Sequence, residues 1–147
     1  MNEACGMEER RSASVHEPRS PDPRDILAIG SRPTEARRAR LFAERVVGNG
    51  NVRPERRDLV LVAVSELVTN ALVHGAAPRT LSMTRRLDEV DVIVSDGSPE
   101  FPHLRSAGAT EPGGHGLHVV DRISDGWGVR PVASGKEVWC RIYLGQA

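Results

Sequence analysis

The chain has 147 residues, enough for one compact domain with its own core and too few for two of ordinary size. Its 20 basic and 20 acidic residues cancel, so no summed positive field draws it to DNA, RNA or an anionic membrane. Two cysteines at opposite ends, Cys5 and Cys140, argue against a structural disulfide; with no apolar leader and no membrane-length apolar run, the expected location is cytoplasmic.

Residues 1 to 24 mix Glu, Arg, Ser and Pro with almost nothing apolar to bury, which predicts a disordered tail ahead of a domain spanning 25 to 147. Ile26 to Ile29 is a short apolar run suited to an edge strand. From Pro33 the period becomes helical: Ala36, Ala39, Ala43, Val46 and Val47 form a stripe with arginines opposite, and Gly48 and Gly50 end it. Pro54 suits the first turn of a second helix, Glu55 and Asp58 favour its positive end, and Gly75 follows its last turn at His74. The period then changes to two. Leu81 and Met83 alternate with Ser82 and Thr84, Val90, Val92 and Val94 follow, and Arg86 to Glu89 is expected to turn the hairpin. Gly97 to Gly114, with Pro99, Pro102 and Pro112, shows no period and is expected to be a long functional loop. Leu117, Val119, Val120 and Ile123 predict a short helix, and two closing strands are expected at about Gly126 to Pro131 and Glu137 to Leu144. Early helices with mostly hairpin-connected strands predict an α+β fold, a two-layer sandwich whose mixed, mostly antiparallel sheet has one face against helices.

Glu66, Asn70 and His74 lie at i, i+4 and i+8 of the second helix, a polar line along one side of an otherwise apolar element. An amide oxygen is a hard ligand suited to Mg²⁺ beside phosphates, and a carboxylate one turn away can accept a proton from an attacking hydroxyl. A solvated helix edge shows the same spacing, so spacing alone does not decide between them.

The stretch Ser65-Glu66-Leu67-Val68-Thr69-Asn70-Ala71-Leu72-Val73-His74-Gly75 resembles the N box of the small anti-sigma-factor serine/threonine kinases in the GHKL ATPase superfamily. The resemblance implies a Bergerat ATP-binding fold, with Asn70 holding Mg²⁺ against the ATP phosphates, Glu66 as general base and His74 near the phosphates. Val92-Ile93-Val94-Ser95-Asp96-Gly97 resembles the first glycine box, which implies that Asp96 accepts the adenine amino group with Ser98 beside it. Gly113-Gly114-His115-Gly116-Leu117 resembles the second, where the backbone amides of Gly114, His115, Gly116 and Leu117 would meet the phosphates at a helix N-terminus. Ser98 to Gly113 would then be the ATP lid. Trp127-Gly128 and Gly135-Lys136-Glu137-Val138-Trp139 resemble the last strands of actinobacterial members, so the likeness runs from about Pro33 to Leu144.

Two positions depart from the family pattern. Ser98 replaces a glycine, and Glu137 stands where a Thr commonly faces the adenine pocket, a place from which a glutamate would repel Asp96. His115 and His118, with His103 and Glu111 nearby, lack a third ligand at zinc spacing. The expected function is a serine/threonine kinase that sequesters a sigma factor and phosphorylates an anti-anti-sigma partner of the STAS type, with ATP and Mg²⁺ as cofactors. The alternative is a nucleotide-gated protein-binding module with little or no transfer. The catalytic half of a split histidine kinase ranks below both, because no dimerisation helix with a phosphoaccepting histidine is evident. Family members commonly pair through the sheet edge and early helices, so a homodimer is an implied possibility.

Overall fold

The computed structural model describes residues 17–18, 24–48, 50–101 and 116–145. Five strands and three helices follow one another along it: β1 (Asp25–Ile29), α1 (Glu35–Val47), α2 (Pro54–His74), β2 (Arg79–Arg85), β3 (Glu89–Asp96), α3 (Gly116–Ile123), β4 (Gly126–Val132) and β5 (Gly135–Tyr143). Among the described residues no helix is long and apolar enough to cross a membrane.

The helices begin and end where local chemistry directs. Pro54 opens α2, where a missing N–H costs nothing, and Glu55 sits at the positive end of its dipole. Gly48 closes α1 at φ +73°, a left-handed conformation that glycine adopts without penalty. Gly75 closes α2 differently. Its φ is −94°, so its identity does not come from backbone conformation. A Cβ there would stand 2.5 Å from Asp96 Cγ and 2.7 Å from the Ala71 carbonyl oxygen, so glycine is required by close approach.

The strands form one sheet in the order β1-β2-β3-β5-β4, with β1 and β4 as edges. All four pairings are antiparallel, in line with the mixed, mostly antiparallel sheet expected from the sequence but without a parallel pair. The connection from β3 through α3 carries the chain one place beyond β3's neighbour. β4 therefore runs parallel to β3 without touching it, and the hairpin return of β5 fills the gap antiparallel to both. Pro131 lies in β4, an edge strand, where a missing donor is tolerated.

The three helices cover one face. Leu81 and Met83 from β2, Val90, Val92 and Val94 from β3, Val138, Cys140 and Ile142 from β5 and Trp127 and Val129 from β4 meet Val60, Ala63, Val64, Leu67, Val68 and Ala71 of α2 in the main core. Each fully buried aliphatic side chain contributes roughly 1.5–3 kcal/mol relative to exposure. On the opposite face Ile93 and Trp139, paired across β3 and β5, form a second small cluster. Beside them Asp91, with no exposed surface, accepts from Arg141 Nε at 2.6 Å and Arg86 Nη1 at 2.9 Å. A buried charge is tolerated when it is paired in this way.

Candidate functional site

The strand alternation that puts Val90, Val92 and Val94 into the core brings Asp96 to the same helix-facing side at the end of β3, 4 % exposed. Its Oδ1 accepts hydrogen bonds from Ser98 N at 2.8 Å and Lys136 Nζ at 3.0 Å, with Ala76 N at 3.4 Å. The turn after α2 is pressed onto this strand end, with Gly97 N donating to Ala76 O at 2.7 Å. From the other side comes Gly135, at φ +150°, whose backbone lies so close to the Asp96 carbonyl that any side chain would collide with it. Asp96 is therefore held by three converging pieces of backbone: the end of α2, its own turn and the start of β5. Oδ2 has no donor among the described residues and lies against Gly75.

The polar line on α2 is real but not uniform. Glu66 is half-buried, Asn70 is 5 % exposed and His74 is exposed at the helix end. Neither Glu66 nor Asn70 has a side-chain hydrogen bond or ion pair among the described residues. An unpaired amide costs about 1–3 kcal/mol only where water cannot reach it. Among the described residues, the fully enclosed side-chain polar atoms without partners are His118 Nε2 and Trp139 Nε1; the Asn70 amide is not one of them and still opens onto accessible space. Arg40 Nη1 donates to Ser65 Oγ at 3.1 Å, tying α1 to α2 one residue from Glu66.

Two site residues escaped sequence reasoning. Arg79, 9 % exposed, donates from Nε to Ala71 O at 2.8 Å and from Nη2 to Gly75 O at 3.4 Å, capping α2 with a cation where the helix dipole is negative. The other is Lys136, directly opposite Asp96 in the β3–β5 register. Glu137 does not share a face with Asp96 at all. It points to the outer face and accepts from Arg130 Nε at 2.8 Å, so the expected repulsion with Asp96 does not arise. The signal was present in the alternation of Val138, Cys140, Ile142 and Leu144: if those face inward, Lys136 does too, and Glu137 faces outward.

Ser98 lies beside Asp96 through its backbone, while its hydroxyl accepts from Glu100 N at 3.3 Å. Gly116 begins α3, and Leu117 is 2 % exposed in the main core, so only its backbone is available to a ligand. Trp127 Nε1 donates to Asp121 Oδ1 at 2.8 Å and fixes α3 against β4. Gly114, His115 and most of the expected lid lie outside the described residues. Among the described residues no group of three or more His, Cys, Asp or Glu could hold a metal ion.

The family described as histidine kinase-like ATPase domain matches residues 29–142. No curated protein matches. Among solved structures, the chain is similar to the histidine kinase domain of a blue-light activated histidine kinase from Erythrobacter litoralis EL346, at 18 % identity and a TM-score of 0.45, over 76 % of this chain and 60 % of that one. The chain thus spans somewhat under two thirds of that structure.

Proposed function

Because the chain belongs to the histidine kinase-like ATPase family, a family of ATP-binding domains, we propose that it is a protein serine/threonine kinase of the anti-sigma-factor type. In this reading it binds ATP with Mg²⁺, sequesters a sigma factor and phosphorylates an anti-anti-sigma partner. The observation that carries the nucleotide part is that two separate groups have unfilled capacity: the Asn70 amide, largely buried and without a protein partner among the described residues, and Asp96 Oδ2, held in a backbone cradle without a donor. These residues fit ATP and Mg²⁺. Asn70 would supply an amide oxygen to the metal, which would screen the phosphate charge during transfer.

The remaining roles belong to this chain's own groups. Asp96 would accept from the base amino group, and the backbone at the start of α3 would donate to phosphate oxygens. Glu66, one turn before Asn70 and free of ion pairs among the described residues, would accept the proton of the attacking serine or threonine hydroxyl.

Calorimetric titration of ATP with Mg²⁺ into the wild type and Asn70→Ala tests the shared premise. We expect saturable, magnesium-dependent binding that Asn70→Ala lowers by tenfold or more. Folded wild type that binds no ATP would sink the reading. Binding with no phosphate transfer to any STAS-type acceptor would leave a nucleotide-gated protein-binding module in its place.

A further inference from the structure

Lys136 is the only lysine in the chain, the other 19 basic residues being arginines, and it is one of the least exposed charged side chains. Its side chain is 3 % exposed and that of Asp96 2 %. The ammonium carries three N–H donors. Two are engaged, by Asp96 Oδ1 at 3.0 Å and by the Ser98 carbonyl oxygen at 3.3 Å, which leaves one without a protein acceptor among the described residues. Asp96 has the complementary vacancy, an Oδ2 without a donor. One buried pair thus holds an unused donor beside an unused acceptor. An arginine, with its wide planar fork, would not fit the same space as a compact point donor.

We propose that Lys136 is a second base-reading residue, which donates to purine N1 while Asp96 Oδ2 accepts from the 6-amino group. This rests on the reading of Asp96 as the base acceptor. The Watson–Crick edge of adenine offers a donor next to an acceptor, and the pair presents an acceptor next to a donor. The pairing also removes an obstacle. An isolated buried carboxylate would carry a large desolvation penalty before any nucleotide arrived, and Lys136 relieves it in advance. The pair is in this way preorganised, and the specificity for a 6-aminopurine is set by two side chains.

The single lysine makes the test direct. With selectively ¹⁵N-labelled lysine, the wild type gives one side-chain ammonium resonance, whose response to ATP and to 1-deaza-ATP, which lacks N1, can be followed while calorimetry gives the affinities. We expect ATP to shift that resonance and to bind about tenfold or more tighter than 1-deaza-ATP, the usual worth of a charge-assisted hydrogen bond. In Lys136→Met the two nucleotides should bind alike. Equal affinity of wild type for both nucleotides, with Asn70→Ala still lowering ATP affinity by about tenfold or more, overturns this inference and leaves the proposed function standing. Tighter ATP binding by Lys136→Met than by wild type also overturns it, since the lysine would then be a competitor of the base. No binding of ATP by wild type overturns both. The wild-type comparison requires no variant, so it remains decisive even where Lys136→Met fails to fold.

Discussion

Asp96 and Lys136 carry opposite charges in a place that water barely reaches, so each is tolerable only because of the other. Removing the lysine alone strands a buried carboxylate, and Lys136→Met should lower unfolding free energy by about 3–5 kcal/mol. Replacing both, as Asp96→Asn with Lys136→Met, should recover a large part of that loss. Urea denaturation of the two variants checks it, and equal destabilisation would mean that packing dominates the pair. Gly135 is constrained on two counts, a φ of +150° and contact with the Asp96 carbonyl. Gly135→Ala therefore cannot be accommodated by a side-chain adjustment and must move β5 or the Asp96 turn. We expect a loss of about 3 kcal/mol, read as a fall in Tm, together with weaker nucleotide binding. An alanine variant that melts like wild type would show that this turn gives way easily.

Among the elements, α2 determines where the site lies, because its last turn sets both the polar line and the wall against Asp96. Arg79 holds that turn by taking up the Ala71 and Gly75 carbonyls, so Arg79→Met should cost about 1–3 kcal/mol and weaken ATP binding in parallel. A drop in stability with unchanged affinity would limit the arginine to a cap. At the other end of the layer, Glu35 of α1 is held below its ordinary value of 4.5, first by the Gly30 N–H and then by Arg38. A depressed carboxylate stabilises above its ordinary value, and the contribution fades as pH falls through its lower folded-state value. Glu35→Gln should accordingly flatten the acid limb of a stability–pH curve below about pH 4.5 and leave its neutral slope unchanged. These elements were largely legible in the sequence. The limits of α2 follow from Pro54 and Gly75, and the hairpin of β2 and β3 from the change to a two-residue period. Arg79 was not legible, since in sequence it is simply a charged residue opening a strand and its partners are eight and four positions back. Lys136 was legible through alternation alone, since the strand that turns Val138, Cys140 and Ile142 inward turns Lys136 the same way.

At the scale of the molecule, the sheet separates two polar systems that would otherwise interfere. The helix face holds the Asp96–Lys136 pair at the margin of the main core. The outer face holds Asp91 with Arg141 and Arg86, and Arg130 with Glu137 and Glu17. Glu17 and Pro18, from the stretch expected to be a disordered tail, lie against Arg130 on that outer face, at 3.0 and 3.1 Å. That contact pairs residues more than a hundred positions apart, a relation no local pattern encodes, and the same holds for the insertion of β5 between β3 and β4. Cys140 stands at the middle of this arrangement, on the inner face of β5 between Val92 and Trp127 and without exposed surface. Burial first, and then Asp91 and Asp125, push its thiol well above the usual range, so the reactive thiolate is scarce in the folded state. In a Cys5→Ser background, Cys140 should react with a thiol reagent at least about a thousandfold more slowly than in the urea-unfolded chain, because labelling requires the central strand to open. If opening is global and fast to reverse, ATP with Mg²⁺ at about a hundred times its Kd should slow labelling by a further factor of about a hundred. Rapid labelling that neither urea nor nucleotide changes would mean that β5 opens locally, and the fold would then not transmit binding at Asp96 to the strand that carries Lys136.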